Sequence, residues 1–145
     1  KACDQLQLPL TVAGTGPMLP ELKKIAGPTI TFTGYATHEQ ILEAAQHAKA
    51  FIFAAEEDFG IAPVEAMALG LPVIAYKSGG ALDYVDEQKT GLFFKEQTAH
   101  SIKTALSKFD LRKFEQETIT KSAEDFSEHH FQAKFKAFIA SIIET

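Results

Sequence analysis

The sequence predicts an α/β fold, a parallel sheet covered by flanking helices. Three observations carry that expectation. Short apolar runs of strand length recur along the chain, amphipathic stretches separate them, and a glycine or a helix start follows each of the first four runs.

Residues 8–13 (LPLTVA) form the first run, closed by Gly14-Thr15-Gly16-Pro17. Residues 19–26 read as a short helix stopped by Gly27-Pro28. Residues 30–33 (ITFT) form a second strand ending at Gly34. Thr37 with Gln40 three residues later is a capping box, and Ile41, Leu42, Ala45 and Ala48 give the helix that follows its apolar stripe. Residues 50–55 (AFIFAA) are continuously apolar, as a strand buried on both faces requires. A polar loop over 56–60 leads to Pro63, expected as the first residue of a helix ending near Leu69-Gly70. Residues 71–76 (LPVIAY) are the next strand, Ser78-Gly79-Gly80 the turn after it, and 91–94 (GLFF) a brief strand following Lys89-Thr90-Gly91. Helices are expected over 98–109, 111–122 and 127–143. The last has Ser127 as N-cap, with Phe131, Phe135 and Phe138 at the spacing of a packing face. No repeat or linker interrupts this pattern, so residues 1–145 form one domain.

Composition narrows the function. At 46% hydrophobic and 23% charged the chain is globular and not disordered. A net charge of −5 with scattered basic residues argues against nucleic acid as a partner. Arg112 is the only arginine among the 14 basic residues, so a bidentate arginine clamp on a diphosphate is nearly excluded. No apolar run approaches the roughly 18 residues that span a bilayer, and Lys1-Ala2-Cys3-Asp4 does not open like a signal peptide. A single cysteine, Cys3, allows no internal disulfide and favours a cytoplasmic location. The adjacent His129 and His130 point about 100° apart on a helix, which favours an exposed face over a metal site.

In an open parallel sheet, ligands bind beyond the carboxyl ends of the strands. Gly14-Thr15-Gly16 is a G-x-G without the third glycine of a dinucleotide fingerprint, and a tight turn explains it equally well. The loop after residue 55 says more. Glu57 and Glu65 stand eight positions apart, with Gly60 and a helix start between them. Gly60 lets a ligand approach the backbone, and the amides around Ile61 to Val64 are expected as free donors of a helix N-terminus, suited to a phosphate. Glu65, expected near the third helical position, could accept hydrogen bonds from the vicinal hydroxyls of a ribose. Singly, each acid has an ordinary explanation: Glu65 complements a helix dipole and Glu57 is a solvated loop residue.

Together, the pieces resemble the group 1 glycosyltransferases, the retaining family 4. Glu57 and Glu65 form E-x7-E within EEDFGIAPVEAMALGLPVIAY, flanked by Phe59-Gly60 and by the GLPVI segment from Gly70 to Ile74. Ser78-Gly79-Gly80, Thr90-Gly91-Leu92, the VAGTGP segment from Val12 to Pro17, and Phe32-Thr33-Gly34 match further elements in order, so the likeness covers essentially the whole chain. The resemblance implies the C-terminal, nucleotide-sugar-binding half of a GT-B enzyme, a Rossmann-like domain whose first strand lies outside this chain. It implies a nucleotide-diphosphate sugar as donor, retaining transfer to a glycan or lipid-linked acceptor, no metal or other cofactor, and an N-terminal acceptor domain as partner. Glu57 would face the donor sugar as the catalytic group. Phe59, Gly60, Ile61 and Ala62 would present backbone to sugar and diphosphate, and Glu65 would hold the ribose. The backbone at Tyr35 and Ala36 would read the base, Gly14 would line the nucleotide pocket, and Gly79 and Gly80 would border the cleft.

The residues from Glu56 to Asp58 and Pro63 resemble a mannosyltransferase-like bacterial branch that builds surface polysaccharides, which points to GDP-mannose. Such enzymes often work at the inner face of the cytoplasmic membrane, through the acceptor half. Two departures accompany the likeness. The arginine and lysine that usually meet the diphosphate have no counterpart here, so the isolated segment is expected to transfer little or no sugar. Asp83 stands where many relatives carry glutamate. A non-catalytic nucleotide-sugar or partner-binding module and a GT-B sugar-nucleotide epimerase stay open as alternatives.

Overall fold

The structure, a computed structural model, describes residues 1–109 and 114–143. Its strands are β1 (Leu10–Ala13), β2 (Ile30–Gly34), β3 (Phe51–Phe53), β4 (Val73–Tyr76) and β5 (Gly91–Phe94). Its helices are α1 (Ala2–Gln5), α2 (Leu19–Ile25), α3 (His38–His47), α4 (Ile61–Ala68), α5 (Ala81–Tyr84), α6 (Ala99–Phe109), α7 (Gln116–Glu124) and α8 (Glu128–Ile143). All pairings are parallel: β1 with β2 in one sheet, and β3-β4-β5 in another. The expected α/β architecture with helix-covered parallel strands is what the chain adopts.

β4 is the centre of the larger sheet, paired on both edges, and Val73, Ile74 and Ala75 are fully buried. Burying each of the two branched side chains contributes about 1.5–3 kcal/mol. β3 was expected to be the strand covered on both faces, yet only Phe53 is buried there and Phe51 and Ile52 are half-buried. The reason is position: within its sheet β3 pairs with β4 alone. Two cores flank the larger sheet. One gathers Met67, Val73, Tyr84 and Ile119, with α4 and α7 packed together. The other gathers Ile74, Phe94 and Leu106 with Ala2 and Cys3 of α1, and takes in Leu10 and Ile30 from the smaller sheet at its margin. Burial raises the Cys3 thiol pKa, so Cys3 serves as a small core residue.

Local signals placed α3 well. Thr37 Oγ1 accepts from the Gln40 N–H at 3.4 Å, and Gln40 Oε1 accepts from the Thr37 N–H at 2.9 Å, completing the capping box. Ser127 caps α8 as expected, accepting from the His130 N–H at 3.4 Å. The phenylalanine stripe of α8 departs from expectation. Phe131, Phe135 and Phe138 are 65%, 53% and 61% exposed, because no described element packs over that face. The start of the helix expected over 111–122, and Arg112 within it, lie outside the described residues; the described part is α7, which runs on to Glu124. The short helices α1 and α5 are additions that four-residue segments could not announce by periodicity.

Replacing Thr37 with alanine should lower stability by about 1 kcal/mol, the usual worth of an N-cap. Urea denaturation of the two proteins would show an earlier midpoint with an unchanged slope.

Candidate donor site

The loop leaving β3 and the turn leaving β4 build one crevice together. Gly80 N–H donates to the Glu57 carbonyl at 2.8 Å, and Ser78 Oγ donates to Glu56 Oε1 at 2.7 Å. Contact is close enough to require glycine in the turn. A Cβ on Gly79, which sits at φ +58°, would strike the Glu57 carbonyl, and one on Gly80 would lie 2.5 Å from the Asp58 and Phe59 carbonyls. From below, Gln97 Nε2 donates to the Ala54 carbonyl at 2.8 Å. An open hollow results, lined by Glu57, Phe59, Gly60, Ile61 and Ala62 along with the other two loop acids. Glu57 is exposed at its mouth and Gly60 is buried at its base.

The helix that follows starts earlier than the sequence indicated. Gly60, at φ +86° and ψ +83°, is the N-cap of α4, so Ile61 is the first helical residue and Pro63 the third. Pro63 still falls in the first turn, where its missing N–H breaks no intrahelical bond. Val64 is the first residue placed to donate back to the Gly60 carbonyl. The helix therefore leaves the N–H groups of Gly60, Ile61 and Ala62 without intrahelical partners, and Val64 drops out of the expected set. Glu65 becomes the fifth helical residue, exposed and beyond the first turn, so complementing the helix dipole no longer accounts for it.

Gly14, Tyr35 and Ala36 gather separately, at the ends of β1 and β2. Gly14 takes φ +125° and its N–H donates to the Gly34 carbonyl at 2.7 Å, while Tyr35 is 82% exposed. The structure thus joins Glu57, Phe59 to Ala62, Gly79 and Gly80 by direct contact, with Glu65 one turn into the adjoining helix, and places the other three on the smaller sheet. Lys77, which follows β4, is engaged elsewhere: it pairs with Glu87 at 3.3 Å and lies 5.2 Å over the Phe93 ring. Among the described residues no cluster of three or more histidine, cysteine or carboxylate side chains could hold a metal ion. Another hollow, lined by Leu42, Lys49, Pro72, Phe109 and Phe114 and by Gln116 at the start of α7, gathers no carboxylate.

Sequence reasoning missed Tyr84. It is 5% exposed, its hydroxyl has no hydrogen-bond partner among the described residues, and a Cβ on Gly60 would lie 2.7 Å from that hydroxyl. Phe59 meets its ring edge-on at 6.2 Å and Phe126 at 6.1 Å, with Phe59 and Phe126 themselves 5.7 Å apart. Thr90, buried, donates to the Tyr84 carbonyl at 3.3 Å and accepts from the Asp86 N–H at 2.8 Å, which gives the Thr90-Gly91-Leu92 element a structural role. Burial, then the Glu57 charge, push the Tyr84 phenol up to about 12. No spacing in the sequence links residues 59, 84 and 126; only tertiary packing brings them together.

With this geometry in view, relatives become informative. Residues 1–128 match the family model of group 1 glycosyl transferases. The chain is a group 1 glycosyltransferase domain. This glycosyltransferase domain is similar to a GDP-mannose-dependent α-(1-6)-phosphatidylinositol monomannoside mannosyltransferase of Mycobacterium tuberculosis, 34% identical in an alignment of 113 residues that covers 68% of this chain and 29% of the relative. It is 30% identical over 122 residues to a sulfoquinovosyl transferase of Arabidopsis thaliana, covering 81% of this chain and 24% of the relative. Among solved structures, a lipopolysaccharide outer core galactosyltransferase in its apo form superposes with a TM-score of 0.80 at 18% identity, over 92% of this chain and 41% of that one. The glycosyltransferase domain therefore spans less than a third of the length of these curated relatives, and its fold is that of a GT-B half.

The site makes a spectroscopic prediction. Because the folded pKa of about 12 exceeds the unfolded value near 10, the Tyr84 phenol leaves stability unchanged below pH 10 and lowers it as pH rises from there towards 12. Ultraviolet titration of the three tyrosines should show one late phenolate, absent in Tyr84→Phe and shifted to lower pH in Glu57→Gln.

Proposed function

We propose that this domain binds the nucleotide-diphosphate sugar of a retaining, metal-independent glycosyltransferase, with GDP-mannose as donor and a glycan or lipid-linked hydroxyl as acceptor. The observation that carries the reading is the convergence, in one crevice, of Glu57 with the unpaired amides of Gly60, Ile61 and Ala62. Transfer breaks the bond between the anomeric carbon and a phosphate oxygen. It forms a bond from that carbon to the acceptor oxygen on the same face, while the acceptor proton passes to the departing diphosphate. Positive charge develops on the sugar and negative charge on the departing diphosphate.

The crevice is suited to both. The Glu57 carboxylate orients the sugar and stabilises the positive charge, and the α4 amides with the helix dipole meet the diphosphate. Because fixed amides take up the leaving-group charge, the proposed chemistry calls for no metal ion. Glu65, one turn further along α4, accepts hydrogen bonds from the ribose hydroxyls. Tyr35 and Ala36 border the base and Gly14 lines the nucleotide pocket, which requires the nucleotide to lie across the ends of both sheets. The mannosyltransferase relative favours GDP-mannose and a lipid-linked acceptor, with acceptor recognition supplied by a separate N-terminal domain. A cytoplasmic protein acting at the membrane face fits that acceptor, and no helix among the described residues is long and apolar enough to cross a membrane.

Calorimetry of the full-length protein with GDP, GDP-mannose, UDP and UDP-glucose tests the assignment. Selective binding of the guanine nucleotides is expected, weakened roughly 10- to 100-fold by Glu65→Ala, the loss of hydrogen bonds to a charged group. Glu57→Gln should retain GDP affinity and lose turnover of GDP-mannose. Absence of binding by all four ligands would overturn the donor-site reading, and selective binding of UDP-glucose would overturn the mannose assignment alone.

A further inference from the structure

We propose that Tyr84 is a positioning residue for Glu57: when a nucleotide sugar fills the crevice, the Tyr84 hydroxyl donates a hydrogen bond to the Glu57 carboxylate. The proposal rests on the donor-site reading above and adds a residue that the Glu57–Glu65 motif does not contain.

The argument starts from a mismatch between ring and hydroxyl. The ring is fully used, packed by Phe59 from the acidic loop and by Phe126 from the α7–α8 corner. Phenylalanine would make the same ring contacts without burying a polar group. The hydroxyl instead lies against Gly60, where a Cβ would come within 2.7 Å of it, and it bonds to nothing among the described residues. A buried donor left unpaired is costly, and a partner available only in the loaded state resolves that cost.

The surroundings identify the partner. A Cβ on Gly60 would meet carbons of Phe53 and Pro63 as well as the hydroxyl, and the α7–α8 corner faces the ring with Phe126. The ionisable groups that act on it are Glu57 on the facing loop and Asp83 on its own helix. Asp83 immediately precedes Tyr84, is exposed, and points about 100° away around the helix. Glu57 is the remaining carboxylate. Its backbone is already pinned at 2.8 Å to Gly80, the residue that opens the Tyr84 helix, which holds the two residues on neighbouring segments of the site. The raised pKa keeps the hydroxyl protonated at neutral pH, as a donor must be. Held this way, Glu57 would present its other oxygen to the sugar with one rotamer selected in place of several.

The test is a double-mutant cycle in the full-length protein, read by calorimetry and thermal melting with GDP-mannose, or with UDP-glucose if that is the nucleotide sugar bound. Tyr84→Phe should leave the ligand-free melting temperature equal or higher, since the deleted hydroxyl had no partner, and should shrink the rise produced by the nucleotide sugar. It should weaken binding about tenfold in the wild-type background, the size of one hydrogen bond to a charged group. In a Glu57→Ala background the same change should cost less than twofold. Equal losses in both backgrounds, or no loss in either, would overturn the proposal while leaving the donor site standing. If the wild-type protein bound no nucleotide sugar, both would fall.

Discussion

The hydrogen bond from the Gly80 N–H to the Glu57 carbonyl, at 2.8 Å, joins the loop leaving β3 to the turn leaving β4. It forms only because neither Gly79 nor Gly80 carries a side chain that would hold the two backbones apart. The geometry of the crevice depends on that contact: Glu57 at the mouth, Gly60 at the base, and the start of α4 aimed across it. β4 supports the arrangement as the central strand of its sheet, paired on both edges, with Val73, Ile74 and Ala75 fully buried. A buried strand cannot shift register without exposing its apolar side chains, so the turn at its end is a fixed point for the more exposed acidic loop.

Polar and apolar forces divide the labour around this site. Backbone hydrogen bonds set the path of the acidic loop, and the Phe59, Tyr84 and Phe126 rings press it against the core from one side. Through Phe126 the corner between α7 and α8 reaches the donor crevice, so helices remote in sequence bear on the same loop. The surface polar contacts contribute less. The exposed pair of Lys77 with Glu87 is screened by solvent, and such pairs are worth at most about 1 kcal/mol.

Much of this is legible in the sequence. Strand runs were readable because buried β-strands need consecutive or alternating apolar residues, and helix α3 because Thr37 and Gln40 satisfy each other's backbone donors. The acidic pair was readable because residues 57 and 65 flank a helix start with a glycine between them. Boundaries were less so. Pro63 suggested a helix beginning at itself, yet Gly60 adopts a left-handed conformation and starts α4 at Ile61. A proline anywhere in the first turn is compatible with the same sequence, so local chemistry does not choose among them.

The sequence by itself determined the α/β class, the capped and glycine-terminated elements, and the family signature, since each depends on residues near one another in the chain. Tertiary structure decided which strand is central, which amides of α4 stay unpaired, that the phenylalanines of α8 stand exposed, and that Tyr84 buries its hydroxyl against Gly60. These outcomes arise from contacts between segments tens of residues apart. Burial at such contacts is a property of the assembled layers, which periodicity along one segment does not encode.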